Sequence, residues 1–436
     1  MDVVDRSPSL RRRLGLLETT LSGVGIILGA GIYVLVGEVA GRSGNAVWGA
    51  FLIAAGMAAL IGLSYAELAS MFPRAGADYE YTRRALGLRP AFVVGWLIVI
   101  GNLLAAGAVA LGFGSYLSEL SPIEVTPAAV GLLIVATLIA FYGIRETAWL
   151  AIVLTFAEMA GLVFVIVVGI PHLGDNNLLE TKAGAGGLFS AAALVMFAYI
   201  GFEQIATLSE ETVNASQVIP KAILLSIAAT TLLYMLVALS AVSVVGWREL
   251  GTSDAPLADV AQVVLGDRAS DVLAVLALFS TANTVLLLLV AASRMIYGMA
   301  SAGSLPLFLA WVHPAANTPA RAIVLALVVS LGFTLSGDLD LVAGATNFAV
   351  FVGFAAVNLS LIVLRFTHPD VPRPFRVPFA IGRLPILPVI SLALVGFMTA
   401  HLDRDALLIG SALFVLGVAA MQLLSFWRPA KQNPLT

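Results

Sequence analysis

Two interrupted apolar segments carry the groups in this chain that could do chemistry. Residues 23–31 (GVGIILGAG) contain four glycines in nine positions, and residues 197–203 (FAYIGFE) place a glycine close to a carboxylate, Glu203. A continuous helix in a bilayer avoids both features, because a break exposes backbone N–H and C=O groups that lipid cannot satisfy. Matching breaks in two halves of a chain therefore predict the ligand site of a membrane transporter.

The freed backbone groups suit a zwitterionic ligand. Amides at the start of the second half-helix, where the helix dipole is positive, suit a carboxylate, and freed carbonyls suit an ammonium group. We assign the amides of Gly29, Ala30 and Gly31 to the carboxylate. The carbonyls assigned to the ammonium group belong to Ile26, Phe197, Ala198 and Ile200.

Both segments also have a purely structural interpretation. Gly25 and Gly29 form a GxxxG pattern, which commonly lets membrane helices pack closely. Glu203 favours the functional interpretation, because an ionisable group inside a span is costly and marks a functional site by default. The alternative role of Glu203 is a hydrogen bond to the broken backbone nearby.

The composition defines the kind of element that must position these groups. Hydrophobic residues make up 60% of the 436 residues, charged residues make up 11%, and the mean hydropathy is +1.00. These values predict a polytopic all-α membrane protein with the lipid bilayer as a partner. A net charge of −3 without a long basic segment argues against nucleic acid as a partner. The chain has no cysteine, so we expect no thiolate metal site. We also expect no cofactor. The sequence leaves homo-oligomerisation open.

Twelve apolar segments are long enough to cross a bilayer core, at about 20 residues per helix. Five spans in 17–170 and five in 188–364 predict two inverted repeats, because an odd number of helices per half inverts the second half. The Pro-rich stretch 369–378 is predicted to separate these repeats from two peripheral helices in 385–427. The predicted spans are 17–40, 47–71, 91–118, 128–144, 147–170, 188–209, 220–246, 269–299, 320–336, 339–364, 385–401 and 404–427.

Lys and Arg in the connections predict the orientation. With twelve spans, both ends of the chain lie on one side, and that side collects eighteen of the 23 Lys and Arg residues. We therefore expect a multi-pass plasma-membrane protein whose two tails, 1–16 and 428–436, are cytoplasmic. A tight turn at Gly143 is predicted to join the fourth and fifth spans on the same side.

Four stretches of the chain resemble the amino acid–polyamine–organocation (APC) superfamily. They are 22–33 (SGVGIILGAGIY), 65–81 (YAELASMFPRAGADYEY), 197–203 and 293–306 (SRMIYGMASAGSLP). The resemblance covers nearly the whole chain and looks closest to prokaryotic relatives of the cationic amino acid transporters. It implies a leucine-transporter-type fold of five plus five inverted helices, amino acid transport by alternating access, and substrate recognition by the backbone of two broken helices.

Side-chain selectivity is expected from the third, sixth, eighth and tenth spans. Relatives that this chain resembles can carry a carboxylate in the third span, about five residues after the tryptophan of a Gly-Trp pair. Here that position is Gly101, followed by Asn102. A cationic substrate side chain would have no acidic partner there, so the sequence favours neutral amino acids. Close helix packing is the alternative role of Gly101 and Asn102.

Glu158 is the candidate for ion coupling. Some proton-coupled members of the superfamily carry a lysine at or near this position of the fifth span, so the reversed charge prevents that scheme from being carried over. A buried carboxylate favours its protonated form and could carry a proton. Alternatively, Glu158 could join Ser280, Thr281 and first-helix carbonyls in a sodium site, since hard cations prefer oxygen ligands, or it could make a structural hydrogen bond. Glu67, near the cytoplasmic end of the second span, is expected to make a structural or gating contact.

These features together predict a secondary transporter and argue against an enzyme. No Walker motif, HExxH motif or Rossmann fingerprint is present in the sequence. The favoured function is import of neutral amino acids with a proton. The alternatives are an exchanger of amino acids or polyamines and a sodium-coupled symporter, which the sequence does not distinguish.

Overall fold

The computed structural model describes residues 14–73, 77–142, 144–210, 212–301, 303–314, 316, 318–336 and 338–426. Residues 1–13 of the predicted N-terminal tail, the whole predicted C-terminal tail and the predicted turn residue Gly143 lie outside these ranges.

Helices make up nearly all of the regular structure. Long apolar stretches fold this way because a helix satisfies its backbone hydrogen bonds within its own segment. One small antiparallel hairpin pairs β1 (Ala380–Ile381) with β2 (Leu384–Pro385). The helices are α1 (Leu16–Leu28), α2 (Gly31–Ser43), α3 (Val47–Met71), α4 (Ala77–Leu86), α5 (Leu88–Leu120), α6 (Val125–Tyr142), α7 (Ile144–Gly169), α8 (Gly184–Tyr199), α9 (Ala215–Val244), α10 (Trp247–Leu250), α11 (Pro256–Leu265), α12 (Asp267–Ser301), α13 (Ala320–Thr334), α14 (Leu339–Thr367), α15 (Ile386–Thr399) and α16 (Arg404–Phe426).

The described part of the chain contains nine helical stretches that are long and apolar enough to cross a membrane. Four further apolar helices, α1, α11, α13 and α15, are shorter, at 10–17 residues. Each of the twelve predicted segments overlaps one or two of the helices. The structure is thus that of a polytopic membrane protein, while the count of twelve crossings, the inverted repeats and the domain boundaries stay predictions.

Both interrupted segments break their helices. Gly29 separates α1 from α2 and adopts φ +20° and ψ 178°. α8 ends at Tyr199, Gly201 adopts φ +122°, and a 3-10 helix continues over Phe202–Glu210. Glycine suits both positions because a positive φ strains residues that carry a Cβ.

The packing of the helices places the two breaks side by side. α2 packs against α8, and α1 packs against α9 and the 3-10 helix that follows α8. α5 runs through the centre of the fold, in contact with α12 and α14. Close packing at one point on α5 depends on Gly112, where a Cβ would lie 2.3 Å from a methyl group of Val34.

An ionic cluster joins four helices at the end of the bundle that is predicted to be extracellular. Arg42, in the last turn of α2, pairs with Asp340 at the start of α14. It also pairs with Asp403, just before α16, at 2.8 Å. A further hydrogen bond of 3.2 Å reaches Ser190 of α8. The cluster therefore ties the second half of the first broken helix to the final helix of the described chain.

Candidate substrate and coupling site

The first break presents backbone amides at the start of α2. The first amides of any helix lack intrahelical acceptors, and the dipole places partial positive charge there. One amide is already paired, since the Ala30 N–H donates to Oγ1 of Thr284 in α12 over 2.9 Å. Thr284 in turn donates to the Ser280 carbonyl at 3.0 Å. The predicted carboxylate-binding amide of Ala30 is thus hydrogen-bonded to a side chain of α12. The next amide along the chain is that of Gly31.

A single buried hydroxyl contacts the carbonyls of both breaks. The Tyr234 hydroxyl, from α9, lies 2.9 Å from the Ile27 carbonyl and 2.7 Å from the Leu28 carbonyl at the end of α1. It also lies 3.0 Å from the Ala198 carbonyl in α8. Tyr234 therefore links the end of the first half-helix to a carbonyl that was assigned to the substrate ammonium group.

The two breaks touch through glycines. A Cβ on Gly31 would lie 2.6 Å from the Ala198 Cα, and a Cβ on Gly201 would lie 2.9 Å from the Ile26 carbonyl oxygen. Both distances are too short for any other residue without movement of the backbone. The structure therefore brings four residues of the two breaks into direct contact, among them the predicted site residues Ile26, Gly31 and Ala198. Phe197 and Ile200 flank Ala198 on either side of the second break, where the Ile200 N–H donates to the Phe197 carbonyl at 3.3 Å.

Glu203 makes the structural contact that was weighed against a functional role. Its Oε2 accepts a hydrogen bond of 2.9 Å from the N–H of Gly201. This bond satisfies an amide that the break would otherwise leave unpaired. Glu203 thus stabilises the conformation of the second break.

Glu158 is fully buried between α7 and α12. Its Oε1 accepts a hydrogen bond of 2.8 Å from Ser280, and its backbone carbonyl accepts one of 2.7 Å from the Tyr33 hydroxyl in α2. Its second carboxylate oxygen, Oε2, has no hydrogen-bond partner in the described part of the protein. A buried carboxylate with one unpaired oxygen suits a group that takes up and releases a cation or a proton, because an unpaired buried charge is costly.

A second polar contact between α7 and α12 lies one helical turn from Glu158. The Asn283 amide donates to Thr155 Oγ1 at 3.2 Å. Thr155 precedes Glu158 by three residues and Asn283 follows Ser280 by three, so the two pairs lie on the same helix faces. Asn283 Oδ1 is also buried without a partner among the described residues. The interface therefore holds two unpaired oxygen atoms, one from a carboxylate and one from an amide.

Thr281 does not take part in this cluster. Its hydroxyl bonds to carbonyls of its own helix, at 2.8 Å to Ala277 and 3.1 Å to Leu278. The α12 hydroxyl that contacts the first break is instead that of Thr284. Of the two α12 hydroxyl groups predicted to act with Glu158, the structure brings only Ser280 into contact with it.

Gly101 lies in α5 against α14. A Cβ on Gly101 would lie 3.6 Å from Ala349 and Val350, which is ordinary van der Waals contact. Asn102 is half-buried, and no side-chain hydrogen bond of Asn102 is present in the described structure. The third span thus has room for a small side chain at this position, and no acidic group stands there.

Glu67 belongs to a buried ion cluster at the end of α3. It accepts hydrogen bonds from the Arg365 guanidinium of α14 and from the Val377 N–H at 2.7 Å. The Nε of Arg373 lies 3.2 Å away. Glu67 therefore holds the Pro-rich segment after α14 against the end of α3, and the residues that pair with it come from α14 onwards.

Sequence reasoning missed Tyr234, Thr284 and Tyr33. Thr284 follows Ser280 by four residues, so the helical repeat could have placed both hydroxyls on one face. Tyr234 is a polar ring within an apolar span, and a buried Tyr hydroxyl usually has a partner. Which carbonyls it contacts depends on tertiary packing that no local pattern encodes. Within the described residues, no group of three or more His, Asp and Glu residues is arranged to hold a metal ion.

Comparison with known proteins identifies the family. A family model described as amino acid permease matches residues 14–421. The Methylthioribose transporter of Bacillus subtilis (strain 168) is 31% identical over 408 residues, which cover 88% of this chain and 87% of that protein. The Branched-chain amino acid permease BcaP of the same organism is 30% identical over 416 residues, with coverage of 90% and 89%. The Cationic amino acid transporter 4, vacuolar, of Arabidopsis thaliana is 29% identical over 397 residues, with coverage of 84% and 65%.

The family match extends over nearly every helix described above, and the motifs that resemble the APC superfamily lie within it. This chain therefore belongs to the amino acid permease family of the APC superfamily.

Proposed function

We propose that this protein is a secondary transporter that imports neutral amino acids by alternating access, with a proton as the coupling ion and Glu158 as its carrier. It would act in the plasma membrane with both termini in the cytoplasm. The observation that carries the proposal is the contact between two broken helices next to a buried, half-paired carboxylate.

The substrate backbone would bind where the breaks meet. The amides that begin α2 would take the carboxylate, and carbonyls of the second break would take the ammonium group. Gly31 and Gly201 keep the two breaks within van der Waals contact. A ligand that bridges them would stabilise one relative position of α2 and α8, which gives substrate binding a direct effect on conformation.

The residues of the third span favour a substrate with a neutral side chain. Gly101 and Asn102 offer space and an uncharged polar group but no carboxylate. The names of the relatives differ in substrate: one is a branched-chain amino acid permease, one a cationic amino acid transporter and one a methylthioribose transporter. Methylthioribose has neither the carboxylate nor the ammonium group of an amino acid. Its inclusion in the substrate test therefore shows whether transport requires a zwitterion.

Helix α12 would couple protonation of Glu158 to the conformation of the first break. Glu158 accepts a hydrogen bond from the Ser280 side chain, and the Ser280 carbonyl accepts one from Thr284, which holds the Ala30 amide. Protonation of Glu158 removes its negative charge and changes the strength of the bond to Ser280. The helix segment 280–284 would then transmit the change to the first break. A sodium ion at the unpaired oxygens is the alternative, and the same experiment separates the two.

The test is uptake by liposomes that contain the purified protein. Radiolabelled leucine, lysine, glutamate and methylthioribose are offered under a proton gradient and, separately, a sodium gradient at matched voltage. We expect concentrative leucine uptake with the proton gradient alone. Glu158→Gln should abolish the response to pH, whereas Glu119→Gln, which removes an exposed acid at the end of α5, should leave the response unchanged.

Three results would change the proposal. Uptake that requires sodium would assign the unpaired oxygens to a cation site. Flux that requires amino acid inside the vesicle would make the protein an exchanger. Uptake of methylthioribose without leucine would remove the zwitterion from the substrate.

A further inference from the structure

A pocket lined by four arginines lies at the end of α14, and none of its lining residues belongs to the two breaks or to the Glu158 cluster. It has a volume of about 380 Å³, within the range of small-ligand pockets. Two residues of the Pro-rich segment, Pro369 and Val371, complete its lining. The lining arginines are Arg365, Arg373, Arg376 and Arg383.

The carboxylate of Glu67 is the only acid that pairs with these arginines in the described part of the chain. It pairs with Arg365 and lies 3.2 Å from Arg373. Arg376 and Arg383 are exposed and form no ion pair with any described residue. Asp370, on the same segment, is exposed and is not part of the lining. The pocket therefore carries an excess of positive charge.

Arg365 presents a free donor from a buried position. Only 2% of its side chain is exposed. Its Nε and one terminal nitrogen bind Glu67, and that nitrogen also donates to the Val377 carbonyl at 3.1 Å. The other terminal nitrogen, Nη1, is buried and has no partner in the ranges that the structure covers. An unpaired guanidinium donor at the wall of a pocket is costly unless an acceptor binds there.

Arg373 supports the pocket and is not a free ligand group. Its Nη1 donates to the carbonyls of Pro369 and Val371, and its Nη2 to those of Leu364 and His368, all within 3.1 Å. Burial lowers the pKa of this guanidinium, and the neighbouring Arg365 and Arg376 lower it further, although Glu67 raises it. Crowded cations of this kind are stabilised by a bound anion.

Apolar side chains stand next to the pocket on the β1–β2 hairpin. Arg383 lies in the two-residue turn of this hairpin. Phe379, just before the hairpin, is 71% exposed, and Ile381 is 72% exposed. Such side chains can enter the apolar part of a membrane surface while the arginines remain at headgroup level. On the side predicted to be cytoplasmic, basic pockets at helix ends are suited to lipid headgroups.

We propose that this pocket binds a phosphate group, held by Arg365 Nη1 together with the guanidinium groups of Arg376 and Arg383. Arginine suits this ligand because its planar donors match phosphate oxygens in pairs. The phosphate group could belong to an anionic lipid or to a soluble phosphate. The exposed hairpin residues favour the lipid.

The experiment compares binding by the purified full-length protein and by a double variant, Arg376→Gln with Arg383→Gln. Both arginines are exposed and form no ion pair with any residue that the structure describes, so the fold should be retained. Arg89→Gln, at an exposed arginine at the start of α5 on the same side, is the matched control. Native mass spectrometry measures retained phosphatidylglycerol against phosphatidylcholine, and a thermal-shift titration measures binding of inorganic phosphate.

We expect wild type and Arg89→Gln to bind phosphatidylglycerol selectively, and the double variant to bind it about 30-fold more weakly, as the loss of two interfacial arginines implies. Selective lipid binding without a response to inorganic phosphate would show that the bound phosphate group belongs to a lipid. A response to inorganic phosphate that is lost in the double variant would show that it belongs to a soluble phosphate. Equal binding of both ligands by wild type and the double variant would overturn the proposal, as would no binding of either ligand by the wild type.

Discussion

Thr284→Val tests whether α12 holds the first break in place. Valine keeps the shape of threonine but removes the hydroxyl that accepts the Ala30 N–H at 2.9 Å. Ala30 is fully buried, so its amide would lose its acceptor without gaining water. An unsatisfied buried donor costs about 1 to 3 kcal/mol.

This free energy acts on the conformation in which Ala30 contacts Thr284. If the substrate carboxylate binds only this conformation, the mutation lowers the population of the binding conformation relative to one that lacks the bond. The apparent affinity should then fall by a factor of up to about 5 to 150, which is the same free energy expressed as an equilibrium constant. The apparent melting temperature of the protein without ligand should also fall, because the bond is lost whether or not substrate is present.

The assay is binding of radiolabelled leucine to purified protein, measured by scintillation proximity, with a melting curve for each variant. Thr281→Val is the matched control, because Thr281 lies on the same helix and its hydroxyl bonds, among the described residues, only to the carbonyls of Ala277 and Leu278. We expect the control to bind leucine like wild type. Equal affinities for Thr284→Val and Thr281→Val would refute the role of Thr284 in positioning the amides.

Three other substitutions address the remaining assignments. Glu158→Gln should flatten the pH dependence of uptake while leucine affinity changes little; an unchanged pH profile in proteoliposomes would make Glu158 a structural residue. Gly101→Glu should place a carboxylate against α14 and be stabilised by arginine or lysine but not by leucine in a melting assay, and a lack of selective stabilisation would exclude Gly101 from the side-chain pocket. Glu67→Gln should lower stability by about 3 to 5 kcal/mol, because Arg365 would be left buried without its charge partner. Glu80→Gln, which breaks more exposed pairs, should cost at most about 1 kcal/mol, and similar melting temperatures for these two variants would contradict the importance of the buried cluster.

Patterns within single segments predicted the membrane helices and the positions of both breaks. Apolar segments long enough to cross a bilayer predict helices. Glycines inside such segments predict breaks in the helices, and the structure has these breaks at Gly29 and Gly201. The sequence also offered Ser280 and Thr281 as partners of Glu158 in one of three alternative roles, and the structure shows the hydrogen bond from Ser280. The helices and the breaks depend on local chemistry, whereas this bond joins two distant helices.

Contacts between distant segments could not be predicted from such local patterns. The sequence predicts a structural or gating contact for Glu67 but names no partner for it. Arg83 and Arg84, which follow it in sequence, pair with Glu80, and Glu67 pairs with Arg365, which lies 298 positions away. Helical spacing could have revealed the local pairs with Glu80. The partner of Glu67 depends on how α3 meets α14, which sequence spacing does not contain.

The position of Tyr234 has a consequence for motion. A tyrosine hydroxyl carries one hydrogen, and this one lies within 3.0 Å of three carbonyls on two separate helices. It can exchange one acceptor for another without a period in which no bond is made. Side-chain reorientation takes picoseconds to nanoseconds, whereas movements of helices against each other take microseconds to milliseconds. The hydroxyl would therefore re-equilibrate at every stage of a rearrangement, so that the breaks can shift past each other while the hydrogen bond at their junction persists.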